Sequence, residues 1–431
     1  MTTRQPVTRP ATQTPTPVTD PPSLVGQQLP VVQTSPVTGR ARWHRRISAL
    51  PLAYLAGIVV VGCIHPFLPT WRWLLIHLLL LGAVTNAIVV WSAHFTAAVL
   101  RVPAPANRRA ETLRLVLLNI GIVVVLTGGG LDIPWVGMAG ATVVFVAVTA
   151  HLAWLTARLR AALPTRLAIT VRYYLAASAA LLIGIPVGAW MMGVDDDFRP
   201  HLLLFHAHVN LLGWVTLTVL GTLLTLWPTV LRTRMADNAV RAASKALPFA
   251  LAGLALLGTG LLTWWRPVAF VGLALFATGA VIALRPALTV AQGKQPASFA
   301  AWSIASASGW LLVALAIDTG TLLFSPGPAE AMENFSDVLV PLLVGFTAQI
   351  LIGALAYLMP VVLGGGPSKV RPRNAILDRN WPQRVAMGNA ALIVFMLPVP
   401  PYVRITTSLL VLVALLQFLV PAIRVLLTAR R

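Results

Sequence analysis

Four histidines carry the densest chemical signal in this chain of 431 residues: His77, and the trio His201, His206 and His208 in the run RPHLLLFHAHVNLLGW. Neutral imidazole is the usual axial ligand of a b-type haem and a good ligand for copper. A helix turns by about 100° per residue, so His201 and His208 fall on nearly one stripe while His206 and His208 face different sides. The adjacent pair therefore cannot chelate one ion well, but it can serve two neighbouring sites. His77 lies about 9 Å along its helix from Trp71, and His208 about 12 Å from Pro200. That common depth predicts His77 and His208 as axial ligands of a haem b, with His206 turned to a neighbouring copper or second haem site and His201 a further metal ligand. The single cysteine, Cys63, excludes an intrachain disulfide, a four-cysteine cluster and a c-type haem attachment.

The elements that must hold these residues are membrane helices. With 57% hydrophobic and 10% charged residues and a mean hydropathy of +0.81, the chain is excluded as a water-soluble fold. Twelve apolar runs are expected at 47–68, 71–100, 112–131, 133–157, 170–192, 201–231, 246–264, 267–289, 300–323, 337–363, 383–398 and 401–428. Residues 1–46 read as a disordered, Pro/Thr-rich basic tail, and 47–431 as the twelve-helix membrane domain. The long polar tail argues against a secretory signal. The formal charge of +20 would suggest nucleic acid on a soluble face. Here all of the 32 Lys and Arg except Arg72, Arg199, Arg266 and Arg404 fall on one side, so the charge reads as topology with both termini cytoplasmic. Asp132, Asp195, Asp196, Asp197, Asp318, Glu330, Glu333 and Asp337 lean to the outer ends. The expected setting is a lipid bilayer, in a bacterial cytoplasmic membrane, with no nucleic-acid partner.

A repeat of about 131 residues overlays three even-numbered helices, HLLLLGAVTNAIVVWSAHFTA from His77, HVNLLGWVTLTVLGTLLTLWP from His208 and VPLLVGFTAQILIGALAYLMP from Val340. Gly82, Gly213 and Gly345 then coincide, as do His77 with His208 and Pro228 with Pro360; Arg114 and Asn119 echo Arg384 and Asn389. The fold expected is all-α, about twelve transmembrane helices in three pseudo-symmetric groups of four. Asn86, Asn119, Asn210, Gln349 and Asn389 are intramembrane amides that fasten helices together. His44 reads as a solvated residue of the tail and His65 as interfacial. His94 and His151, near Trp91 and Trp154 in the opposite leaflet, fit an aromatic belt, with an inner metal or haem site as the alternative. Met191 and Met192 beside Asp195, Asp196 and Asp197 read as helix-end residues rather than a copper site. The GGG runs lack a following GK[ST], and no catalytic serine, cysteine or HExxH pattern is present.

The sixth apolar run resembles the histidine-bearing helices of the haem–copper oxidase subunit I superfamily. It is most similar to the oxidase-deficient branch, such as the NnrS-type haem and copper proteins of nitric oxide metabolism, and to related actinobacterial membrane regions labelled copper oxidase. The resemblance rests on His77, which matches a low-spin haem ligand, on His206 and His208, which resemble the HxH pair, and on the glycine register. It implies twelve helices in three groups of four with haem ligands in the outer half. The HxH pair here stands on the sixth run rather than the tenth, where Val338 and Val340 replace it. The seventh run lacks adjacent histidines and the sixth a histidine–tyrosine pair. A complete oxygen-reducing oxidase is therefore not expected. The resemblance implies haem or copper binding in electron transfer, nitric oxide handling or copper-linked redox chemistry, with an extracytoplasmic copper protein or cytochrome as redox partner. The alternatives are a cofactor-free transporter, proton- or metal-coupled, and a membrane anchor for a redox partner.

Overall fold

The computed structural model describes residues 37–102, 108–193 and 197–428. Among them the chain is helical throughout, without strands. We number the helices α1 (Val37–Ile64), α2 (Trp71–Val99), α3 (Arg109–Gly130), α4 (Pro134–Ala161), α5 (Ala168–Trp190), α6 (Arg199–Val230) and α7 (Ala239–Thr263). These continue as α8 (Arg266–Gly293), α9 (Phe299–Phe324), α10 (Pro328–Val362), α11 (Gly366–Leu377), α12 (Trp381–Met396) and α13 (Pro401–Thr428). Eleven of them are long and apolar enough to cross a membrane, and the chain is an all-α, multi-pass membrane protein.

Three departures from the expected boundaries have physical causes. The expected tail lies outside the described residues up to position 36, but α1 already begins at Val37. Its first turns are held by tertiary contact: Trp43 Nε1 donates to Thr112 Oγ1 of α3, and the Arg108 guanidinium lies 4.2 Å from the Trp43 ring centroid. The eleventh run forms α12, only 16 residues long, because Pro398 and Pro400 cannot continue a helix. Third, the polar segment after α10 forms a short helix, α11, not a loop.

The three-block pattern runs deep in the structure. Within α2, α6 and α10 the helix widens into π turns at Leu78–Val84, Val209–Thr216 and Pro341–Ala348. Each begins immediately after an aligned repeat position: His77, His208 and Val340. A π turn takes up an extra residue and re-aims the side chains around it, and such turns are frequent at functional sites. In each block the glycine inside the π turn receives a side chain from the preceding helix, Tyr54 at Gly82, Ala180 at Gly213 and Trp310 at Gly345. A second register links the first two blocks. Gly121, Gly128 and Gly140 bring the backbones of α3 and α4 together, and Gly253, Gly260 and Gly272 do the same for α7 and α8. In hydrocarbon, where helices gain little from apolar burial, such close approach supplies the packing. The matching positions of the third block are Val385, Leu392 and Arg404, and there α12 is short.

Asn86, Asn119, Gln349 and Asn389 fasten helices as expected and obey the repeat, whereas the bonds of Asn210 stay within its own helix. Tyr54 Oη donates to Asn119 Oδ1 at 2.9 Å, and Asn119 and Asn86 exchange bonds of 2.8 and 3.1 Å. In the third block Trp310 Nε1 donates to Asn389 Oδ1 at 2.7 Å, and Gln349 Nε2 donates to the same oxygen at 3.0 Å. The middle block has apolar Ala180 and Leu254 around Gly213 instead.

Candidate functional site

The site is built where α2, α5 and α6 meet. Trp214 Nε1 of α6 donates to Thr85 Oγ1 of α2 at 3.1 Å, which pins the two π-containing helices to each other. His77 Nδ1–H donates to the carbonyl of Trp73 at 2.8 Å, and its ring stacks on the Trp73 indole with centroids 4.0 Å apart. Trp73 in turn fits against Gly129 of α3, where a Cβ would clash with the indole. On α6, His206 Nδ1–H donates to the carbonyl of Gly184 on α5 at 2.9 Å. Its ring lies over Gly188, so close that a Cβ there would stand 2.6 Å from His206 Cε1. The two imidazoles are within electrostatic reach of each other.

Both rings thus spend Nδ1–H on a backbone carbonyl, which fixes the tautomer and leaves the lone pair on Nε2. That is the arrangement in which histidine binds a metal. No protein partner meets Nε2 of His77 or of His206 among the described residues. Two such nitrogens on separate helices are a donor set that could hold a haem or a copper ion. Asn210, one turn from His206, donates to the His206 carbonyl at 2.7 Å and keeps a buried Oδ1 without a partner. It fastens no neighbouring helix by that oxygen, unlike the other amides.

His208, expected as the second axial ligand, is placed otherwise. It is 2% exposed, its Nδ1–H donates to the Leu204 carbonyl at 2.6 Å, and its Nε2 lies 3.0 Å from Asp318 Oδ2 on α9. With both nitrogens engaged, no lone pair is left for a metal. The different facing of His206 and His208 holds, and it is His206, not His208, whose Nε2 meets no protein partner among the described residues. Asp318, expected at an outer end, is 2% exposed inside the bundle, and its Oδ1 is buried without a partner.

His201 and His206, both expected as metal ligands, turn to different helices. His201 Nδ1–H donates to the Leu261 carbonyl of α7 at 2.8 Å and its ring stacks on Phe198, whereas His206 turns to α5. Among the described residues no group of three His, Cys, Asp or Glu side chains could hold a metal ion. Asp195 and Asp196 lie outside the described residues, and Met192 packs its sulfur against Gly137.

At the other ends of these helices His44 is 2% exposed, with its ring 4.9 Å from Trp43 and 5.9 Å from His94. The solvated role expected for it is replaced by packing between α1 and α2. His151 is fully buried rather than interfacial, with Nε2 at 2.9 Å from Ser92 Oγ. His94 meets the His44 ring of α1, and His151 meets Ser92 of α2. His65 is exposed, as an interfacial residue should be.

The chain matches no family model and no curated protein.

Proposed function

We propose that this chain is a membrane haem-binding protein of electron transfer, holding a haem b between His77 and His206. One observation carries the reading: two imidazoles on separate helices, each with Nδ1–H tied to a carbonyl and Nε2 without a protein partner among the described residues, lie within electrostatic reach of one another beside repeat-related π turns. A haem bound there would supply a one-electron couple. Held by two protein side chains, His77 and His206, the group would be suited to electron transfer rather than to nitric oxide handling or oxygen reduction. The protein's own part is to hold each ring, through Trp73 for His77 and through Gly184 and Gly188 for His206, and to surround the group with apolar helices. Copper on the same imidazoles is the lesser form of this reading, since among the described residues no third His, Cys, Asp or Glu joins them in a metal-holding group. We place the basic helix ends on the cytoplasmic side of a bacterial membrane, which puts the pair in the outer half, open to an extracytoplasmic copper protein or cytochrome.

Purified protein should show a Soret band and a pyridine haemochromogen spectrum. Both should vanish in His77→Ala and in His206→Ala and survive in His208→Ala. Well-folded protein without haem, and without copper by metal analysis, would overturn the reading.

A second reading is favoured by the buried His208–Asp318 pair: a cofactor-free carrier using an intramembrane charge pair, as proton-coupled transporters do. Ion-driven uptake by metal-free protein in proteoliposomes, lost in Asp318→Asn, would support it.

A further inference from the structure

Most threonines within these helices donate to a carbonyl of their own helix three or four residues back, as Thr218 Oγ1 does to Trp214 at 2.7 Å. That is the ordinary habit of a helical hydroxyl. Among the described residues two threonines reach five back: Thr85 Oγ1 donates to the Leu80 carbonyl at 2.8 Å, and Thr216 Oγ1 to the Leu211 carbonyl at 2.8 Å. Five residues is the span of a π-helical bond. Both acceptors lie inside π turns, Leu80 in Leu78–Val84 of α2 and Leu211 in Val209–Thr216 of α6. The Thr85 backbone N–H meets the same Leu80 carbonyl. The two hydroxyls therefore staple the π register of their helices.

The staples occur where the histidines occur. Thr85, Thr216 and Thr347 follow one another at the repeat of about 131 residues. The first two close the turns that His77 and His208 precede. Thr347 belongs to the third turn, in a helix without histidine, and its Oγ1 is buried with no partner among the described residues. The two staples are also joined. Trp214, inside the second π turn, donates from Nε1 to Thr85 Oγ1 at 3.1 Å, so this hydroxyl accepts from one turn while donating to the other. Thr85, Trp214 and Thr216 are all at most 3% exposed.

A π turn holds one residue more than an α turn. If it relaxed, the segment before it would rotate by about 100° and slide by about 1.5 Å against the segment after it. His77 and His206 both lie in the segments before their turns. Rotation of α6 would take His206 off the Gly184 carbonyl, and rotation of α2 would take Trp73, on which His77 stacks, off Gly129. Two imidazoles that share one group must be placed to within about 0.5 Å, well inside that displacement.

We infer that Thr85, Thr216 and Trp214 are positioning residues for the histidine pair. The hydroxyls lock the π register that aims His77 and His206, and the indole bond ties the two registers to each other. Their action on a bound group rests on the haem reading; the locking itself does not.

The test uses the full chain in lipid nanodiscs, with Cys63→Ser and nitroxide labels on Arg72→Cys and Arg199→Cys, exposed residues in the segments before the two turns. Double electron–electron resonance should give one narrow distance distribution for this background. Thr85→Val with Thr216→Val removes both hydroxyls at nearly constant shape and should add a second, displaced population. Thr85→Ser with Thr216→Ser should restore the single one. Thr218→Val, which removes an ordinary four-residue bond from the same helix, should leave it unchanged. In the unlabelled, haem-loaded protein the first double variant should show a high-spin fraction by electron paramagnetic resonance that the second and Thr218→Val lack. An unchanged distribution in the first double variant would overturn the inference. So would an equal change in Thr218→Val, which would mark general loosening. Should that double variant not fold, Thr85→Val alone also strands the Trp214 indole and must displace the distribution in its place. Well-folded protein with neither haem nor copper, whose distances respond as expected, would sink the haem reading and keep the staples. Haem-bound protein whose distances and spectrum ignore the first double variant would do the reverse.

Discussion

Across the contact of α6 with α9, His208 Nε2 lies 3.0 Å from Asp318 Oδ2, and both side chains are 2% exposed. The other ring nitrogen faces the Leu204 carbonyl at 2.6 Å, and a carbonyl can only accept. The pair therefore holds one proton more than a neutral imidazole beside a carboxylate, whichever of the two carries it. Removing one member of a buried pair strands the other. Asp318→Ala is expected to lower unfolding stability by about 3–5 kcal/mol, and Asp318→Asn, which keeps an oxygen acceptor for His208, by clearly less. Thermal and denaturant unfolding in detergent check this; equal behaviour of the two variants would show that the charge at this position does not matter.

Much of this architecture can be read directly from residue types. Apolar run lengths predict the spans, and the glycine register predicts the blocks, because Gly82, Gly213 and Gly345 each admit a side chain from the preceding helix. The pairing of the histidines is harder. A helical wheel at constant pitch separates His206 from His208, but it does not say which neighbour each will meet, and the π turns lie at that very point. Asp318 was visible as an acidic residue within an apolar run, yet five positions from the end of that run it read as interfacial. The second glycine register, Gly121 with Gly253, Gly128 with Gly260 and Gly140 with Gly272, was also present in the sequence. It falls on odd and even helices together, outside the alignment of even-numbered helices alone. Burial of His44 depends on Trp43 reaching α3, a contact between segments far apart in the chain.

Gly188 sits under the imidazole of His206, where an added Cβ would stand 2.6 Å from Cε1 and 3.0 Å from Nδ1. The ring would have to turn, and its bond to the Gly184 carbonyl would go with it. Gly188→Ala is expected to lose most haem absorbance while the protein still folds, since the displaced group is the end of one side chain. Gly320→Ala, in a helix with nothing within 4 Å, is the matched control and should retain it. Full haem content in Gly188→Ala would show that His206 is not a ligand in this orientation.

Asn389 accepts from Trp310 at 2.7 Å and from Gln349 at 3.0 Å, so one oxygen joins α9, α10 and α12. Asn389→Ala leaves both donors unpaired within the bundle. Interhelical hydrogen bonds in membranes contribute about 0.6–2 kcal/mol each, and a loss in that range is expected, with Asn119→Ala in the first block giving a similar value. Asn389→Asp retains the acceptor but places a charge there, and it should be worse than Asn389→Ala. Unfolding in mixed detergent measures all three; a negligible effect of Asn389→Ala would remove the clamp from the account of how α12 is held.

Asp378, between α11 and α12, accepts from the backbone N–H of Phe299 at 3.0 Å. Partial burial nevertheless raises its carboxyl above the ordinary value, against the opposing pull of that hydrogen bond and of the positive charges of Arg384 and Arg232. A folded-state value above the unfolded one means that the folded chain binds the proton more tightly. Its contribution to stability is then fully present below the unfolded value and is lost as pH rises through the folded one. Asp378→Asn keeps an oxygen for Phe299 and has no charge to desolvate. The expected outcome is a variant at least as stable as the wild type at neutral pH, with a flatter stability profile on the acid side. Melting temperatures measured across mildly acidic to neutral pH decide it: a variant less stable than the wild type at neutral pH would mean that the attraction of Arg384 and Arg232 outweighs the cost of burial.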